Sequence, residues 1–255
     1  MSQKIRQEHI LQILKEQGYV TVRYLSNTLQ YSTATINRDL NAMQRQGLVK
    51  RSYGGVEETA KRRLPPLVQR QFYHKKEKRL IAEAAVNCIE NGDMVFLDGS
   101  TTVQYMIPHL FQKKDLTVIT NSLLLAMELG DSPLTVVCLG GKLAERPHVL
   151  HSDLTVENAM HYYPDKMFFS VDGITKDGNI HISLPLLYKV LIKNSREAWF
   201  LTDRTKLVDR LDISACDFSV LTGVISDFDF PQETKELYPD VTFISVGKEG
   251  SSSKA

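Results

Sequence analysis

The stretch from Ser32 to Arg45 sets hydroxyls, amides and guanidinium groups at helical spacing. On a wheel of about 100° per residue, Ile36, Leu40 and Met43 point one way. Ala34, Arg38, Asn41 and Arg45 point the other way, with Thr35 and Asn37 on the flanks. A small, amide and cationic face suits the DNA major groove, where Arg reaches guanine O6/N7 and Asn pairs with adenine N6/N7. Ser32 can cap this helix. Thr33 and Thr35 fall in its first turn, where hydroxyls and free N–H groups take phosphate oxygens. Arg51 and Tyr53 follow in an alternating segment that can hold DNA backbone or the minor groove. The expected DNA-binding set is Ser32, Thr33, Thr35, Asn37, Arg38, Asn41, Arg51 and Tyr53.

A second set recurs at the ends of short apolar runs: Asp98-Gly99-Ser100-Thr101-Thr102, Thr120-Asn121, Gly140-Gly141, Asp172-Gly173, and Lys206. Hydroxyls and backbone N–H groups entering a helix form an anion cradle. Asp98 and Asp172 can accept from sugar hydroxyls, and Lys206 can balance a phosphate. Taken singly, these are ordinary features: a helix cap, two tight turns and a solvated lysine. Their recurrence at successive strand ends points to a ligand site. His148 and His151 lack a carboxylate or cysteine partner at metal spacing, so no metal and no cofactor is expected. No residue is assigned a catalytic role.

The elements that must position these groups fall into two parts. Residues 1–79 carry a charge of +10 and the remainder −9, a basic head on an acidic body. Ile10, Ile13 and Leu14 mark a first helix, stopped at Gly18. Thr21 caps a second helix with Val22, Leu25 and Leu29, and the third runs from Ser32 to Gly47. Leu48 to Gly55 reads as a strand pair, a wing. The head is placed at 1–56, a linker with Pro65 and Pro66 at 57–74, and a disordered tail at 248–255. Between them, 75–247, strands are expected at Met94–Leu97, Leu116–Ile119, Leu134–Leu139, Met167–Val171, Ala198–Leu201, Val220–Ile225 and Val241–Val246. Helices alternate with them, over Lys75–Asn91, Thr101–Phe111, Ser122–Leu129, Leu154–His161 and Leu184–Asn194. The fold class is α/β: a winged helix-turn-helix, then a Rossmann-like domain with a mainly parallel sheet. The start has no apolar h-region and no run is long enough to span a bilayer, so a cytoplasmic protein is expected. Cys88, Cys138 and Cys216 are unclustered and are expected to be buried, reduced thiols.

Val20-Thr-Val-Arg-Tyr-Leu-Ser-Asn-Thr-Leu, Ser32-Thr-Ala-Thr-Ile-Asn-Arg-Asp-Leu and Lys50-Arg-Ser-Tyr-Gly-Gly-Val together resemble the N-terminal domain of DeoR-type bacterial transcription regulators. The resemblance continues through Ile81-Ala-Glu-Ala-Ala, Asp98-Gly-Ser-Thr-Thr, Val118-Ile-Thr-Asn-Ser, Leu139-Gly-Gly, Val171-Asp-Gly and Leu201-Thr-Asp-Arg-Thr-Lys, so it spans about residues 3 to 228. It implies a C-terminal domain similar to sugar-phosphate isomerases that senses a phosphorylated sugar rather than converting it. Three departures stand out. Asn37-Arg38 occupies a place where the family often has two arginines. Asp153 follows Ser152 where a glycine is usual, and residues 178–196 contain no Asp or Glu.

These readings imply a homo-oligomeric repressor of a carbohydrate-use operon. It would bind double-stranded operator DNA as a dimer or tetramer and answer to a phosphorylated sugar. Two alternatives differ in chemistry: a sugar-phosphate isomerase with an appended DNA-binding head, and a helical protein-interaction module on a sensor.

Overall fold

The chain packs as two units, Met1–Arg63 and Leu64–Ala255. The computed structural model describes residues 3–17, 19–45, 48–52, 55–58, 73–144, 148–182, 184–209, 211 and 214–247. Gly18, Gly47, Tyr53, the Pro65-Pro66 segment and the tail from 248 lie outside the described residues.

The first unit holds α1 (Gln3–Gln17), β1 (Tyr19–Thr21), α2 (Val22–Leu29), α3 (Thr33–Arg45), β2 (Val49–Ser52) and β3 (Gly55–Glu58). Thr21 caps α2 by accepting from the Tyr24 N–H at 3.1 Å. Gln30 ends α2 in the left-handed region at φ 58°, returning its N–H to Ser26 O. Two residues later Ser32 Oγ accepts from the Thr35 N–H at 3.2 Å and opens α3. That tight passage is the turn of a helix-turn-helix. Ile10, Leu14, Leu25, Ile36, Leu40 and Met43 close one core with Val49 and Val56 from the strands.

The three strands form an antiparallel sheet in the order β1-β3-β2. Strand β1 was not expected from sequence, because three residues before a helix cap carry no period of their own. Glu57 pairs with Lys50 and Tyr19, so the wing runs through Glu58, two residues into the stretch read as linker. The buried side chain that anchors β3 is Val56; the acidic pair after it hid the strand's continuation.

In the second unit, α4 (Lys75–Asn87) precedes β4 (Met94–Leu97). Then come α5 (Thr101–Gln104), α6 (Ile107–Leu110), β5 (Thr117–Thr120), α7 (Leu123–Gly130), β6 (Thr135–Cys138), α8 (Asp153–Ala159) and β7 (Lys166–Phe169). The remainder is β8 (Gly173–Ile174), β9 (Asn179–His181), α9 (Pro185–Asn194), β10 (Glu197–Thr202), β11 (Cys216–Asp217), β12 (Gly223–Ser226), α10 (Gln232–Leu237) and β13 (Thr242–Ser245). Seven strands make one parallel sheet in the order β13-β12-β10-β7-β4-β5-β6. The small antiparallel sheet β11-β9-β8 sits beside it in sequence.

Alternation across the pleat divides the core. Val95, Leu97, Phe168, Trp199 and Leu201 pack with α4 to α7. Phe96, Met167, Phe169 and Phe200 pack on the other face with α8 and α9. Helices on both faces bury every central strand, which is why these strands read as continuous apolar runs. The stretch expected as one helix from Thr101 to Phe111 is two pieces. Pro108 lacks an N–H and its ring crowds the carbonyl four residues back, so the helix breaks near Tyr105. Cys138 is exposed on the outermost strand β6, against the expectation of burial; Cys88 and Cys216 are half-buried.

Candidate functional site

In the head, α3 presents Thr33, Ala34, Arg38, Asn41 and Arg45 to the exterior, while Thr35 and Asn37 are half-buried on its flanks. Asp39, on the opposite side, is buried and carries a structural duty. Its carboxylate pairs with the Arg6 guanidinium, accepting from Nε and, at 3.1 Å, from Nη2. Arg6 also lies over the Tyr31 ring at 4.6 Å. The Asp39 hydrogen bonds raise the Arg6 guanidinium above its ordinary value, against the effect of burial. This pair clamps α1 to α3 and holds the exposed face at its angle.

Arg51 has partners within the protein. It shares the parity of Val49 on β2 and so faces the helices. Its Nη1 donates to Asn41 Oδ1 at 2.7 Å, and its Nη2 donates to Asn37 Oδ1. Arg51, Asn37 and Asn41 are therefore one cluster joining the wing to α3. Tyr53 lies outside the described residues.

In the second unit, the strand order reverses direction between β4 and β7. In an open α/β sheet the crevice for a ligand opens there, beyond the carboxyl ends of the strands. A cleft of ≈ 510 Å³, part of it open to solvent, occupies this place. Asp98, Gly99, Ser100, Thr101 and Thr102 line it after β4. Ser170, Val171 and Asp172 line it after β7, and Lys206 after β10. Ser100 caps α5, accepting from the Val103 N–H. An alanine at Gly99 would put its Cβ 2.6 Å from Val149 Cγ2, so only glycine lets the loop pass so close.

Asp98 is fully enclosed, and its oxygens are already engaged. Oδ1 accepts from the Ser100 N–H at 3.0 Å; Oδ2 accepts from the Ser170 N–H at 3.1 Å and the Tyr188 hydroxyl at 2.8 Å. Burial pushes this carboxyl up, while the hydrogen bonds from Ser100, Ser170 and Tyr188 pull it down. The residue expected to meet sugar hydroxyls thus ties three segments of the cleft wall together.

Five of the residues expected at the ligand do not line this cleft. Thr120 Oγ1 donates to Leu97 O and accepts from the Ser122 N–H, and Asn121 Nδ2 donates to Leu150 O. Gly173 is buried in β8. Gly140 and Gly141 turn the chain onto α8. Thr155 Oγ1 donates to Gly140 O at 2.8 Å, and Gly141, at φ 116°, has no room for a Cβ beside Thr155. These positions are held by the packing of strand ends, which small polar residues serve as well as they serve ligands.

Other residues join the site. Leu184 and Tyr188, from the carboxylate-free stretch 178–196, line the cleft at the start of α9. Lys78 on α4 is buried and its Nζ donates to Thr101 Oγ1 at 3.1 Å, setting a cation behind the hydroxyl loop. Asp203, three residues before Lys206 and not among the residues lining the cleft, is buried, with Oδ1 accepting from the Thr205 N–H at 3.0 Å and Oδ2 lacking a hydrogen-bond partner among the described residues. Lys78 stands in a run of charged residues that reads as solvated surface.

Comparison with known proteins agrees with both halves. Residues 6–62 match the DeoR-like helix-turn-helix domain, and residues 73–228 match the DeoR C terminal sensor domain. The HTH-type transcriptional repressor GlcR of Bacillus subtilis (strain 168) is 33% identical over 211 residues, covering 81% of each chain. The glycerol-3-phosphate regulon repressor of Escherichia coli (strain K12) is 26% identical over 94% of this chain and 97% of its own. Among solved structures, ribose 5-phosphate isomerase A of Methanocaldococcus jannaschii aligns at TM-score 0.41 and 19% identity, over 54% of this chain and 56% of that one. With a helix-turn-helix matched at one end and a sensor domain at the other, the chain belongs to the DeoR family of transcription regulators.

Proposed function

We propose that this regulator represses a carbohydrate-use operon and that a phosphorylated sugar, bound in the cleft between β4 and β7, sets its affinity for operator DNA. The observation that carries the reading is the composition of that cleft: Gly99 to Thr102 opening a short helix, and Lys206 lining it with them; Lys78, outside the lining, donates to Thr101. Backbone N–H groups, hydroxyls and two cations suit a phosphate. Asp172 at the rim suits sugar hydroxyls. The ligand acts by binding one arrangement of the protein better than another, since equal affinity for both would shift nothing. A homodimer follows from the reading, because one recognition helix covers few base pairs and paired half-sites add affinity.

The isomerase alternative needs a carboxylate free to move a proton on the sugar. Asp98 is occupied by three donors, and α9 contributes Leu184 and Tyr188 instead of an acid.

Two measurements test the proposal: thermal shift of the full chain against a panel of sugar phosphates, and gel shift with DNA upstream of its own operon. One sugar phosphate is expected to stabilise the protein by about 2.7 kcal/mol at 100 times its Kd and to change the gel-shift affinity. Lys206→Ala is expected to abolish the stabilisation. Absence of any stabilising sugar phosphate, or a ligand that leaves DNA affinity unchanged, would sink the reading.

A further inference from the structure

We infer that Arg51, a wing residue, sets which bases the recognition helix can read by capturing the carbonyl oxygens of Asn37 and Asn41. The inference rests on the reading of α3 as the groove-facing helix.

A guanidinium only donates hydrogen bonds, so both amides must turn their oxygens toward it. In this orientation Nη1 lies 2.7 Å from Asn41 Oδ1, and Nη2 donates to Asn37 Oδ1. Asn37 and Asn41 are four residues apart and stack along one side of α3. The planar fork of Arg51 spans that gap, which the point charge of a lysine cannot do in the same way.

Each amide is left with its NH₂ group as its outward chemistry. Arg38, exposed between them, also offers donors alone. The reading face is thereby polarised toward donors: each amide turns its NH₂ outward and spends one of its oxygen's two lone pairs on Arg51, and Arg38 only donates. An asparagine reads adenine by accepting from N6 while donating to N7, and that bidentate pairing needs the amide edge turned to the base, with its oxygen aimed there rather than at Arg51. Guanine, whose major-groove edge offers the acceptors N7 and O6 and no donor, matches the polarised face. The head is therefore set to read guanine opposite Asn37 and Asn41, and Arg51 is a positioning residue that acts through them.

A phosphate contact is the competing role for Arg51, since its bonds to the two amides use two of its five donors. The two roles part in their consequences. Loss of a phosphate contact weakens all sequences alike and lowers the salt slope by about 1. Loss of the lock frees two amide oxygens and changes the preferred base.

The experiment is selection of operator sequences from a random DNA pool by the full chain, its Arg51→Ala variant and its Asn37→Asp variant, with far-UV circular dichroism to check folding. The wild type is expected to select guanine at the positions facing the two amides. Arg51→Ala is expected to move at least one of them toward adenine, by about tenfold in relative preference. Asn37→Asp keeps an acceptor for Arg51 while replacing the outward donor with an acceptor. It is expected to move its position toward cytosine, whose N4 donates, and it serves where Arg51→Ala does not fold. An unchanged base preference in either folded variant overturns the inference, as does uniform weakening of Arg51→Ala with a reduced salt slope. A wild type that selects no sequence overturns the DNA reading itself, and the inference with it.

Discussion

Asp98 gathers donors from three segments, Ser100, Ser170 and Tyr188, in a setting from which water is excluded. Burial raises its carboxyl above the ordinary value, so in the window above about 3.9 the folded chain holds this proton more firmly than the unfolded chain does. The unfolding free energy contributed by this group is therefore greatest below that window. It falls as pH rises through the folded value. Asp98→Asn removes the titration and sets an amide donor against a backbone N–H. The variant is expected to be less stable at neutral pH by about 1–3 kcal/mol and to show a flatter dependence of stability on pH. Urea unfolding at a series of pH values, followed by the fluorescence of Trp199, measures both; a slope equal to that of the wild type would contradict the assignment. The same scale marks what sequence could not disclose. Lys78 is written like its solvated neighbours, and only the packing of α4 shows that its ammonium turns inward to Thr101. Tyr188 reads as an ordinary helix residue until α9 is placed beside β4.

Packing decides what a motif letter means at the scale of elements. Asp39 belongs to a run quoted for its DNA-binding character, yet it faces Arg6 across the head and contacts no solvent. Asp39→Ala leaves a guanidinium without its partner and is expected to destabilise the head by about 3–5 kcal/mol. The only tryptophan, Trp199, lies in the second unit, so it is silent to the head. The expected signature is an early loss of helical circular dichroism in urea with an unchanged Trp199 midpoint; coincident shifts of the two signals would refute it. The seven parallel strands were legible because each is an apolar run between helices; β4, β7, β10 and β12 are buried along nearly their whole length, while β6 and β13, at the sheet edges, are only partly covered. The three-residue β1, the two-residue strands β8 and β11 and the short β9 were not, because a strand so short has no period to read. The Thr101 to Phe111 helix failed at Pro108, a breaker visible in the sequence but outweighed by the apolar pattern around it.

Over the whole molecule the positive excess is confined to the first 79 residues, which cover the first unit and the start of the second. Operator affinity is expected to fall by more than about tenfold between ~50 and ~200 mM salt, as counterions released from phosphates are paid back. Ligand affinity in the acidic second unit is expected to change far less over the same range. Fluorescence anisotropy for DNA and calorimetry for the ligand provide the comparison, and equal salt slopes would contradict it. The cleft of that unit is assembled from loops that follow β4, β7 and β10, with the start of α9 closing one side. One jaw, Gly99 to Thr102, is constrained by the close approach to Val149 and by the cap of α5. On the α9 side Tyr188 is buried and bonded to Asp98, while Leu184 is half-buried and its neighbours Pro185 and Leu186 are exposed. On the proposed reading, the exposed positions beside Leu184 can be exchanged without touching the bonds that hold Asp98, so the same phosphate-suited loop can face a different sugar.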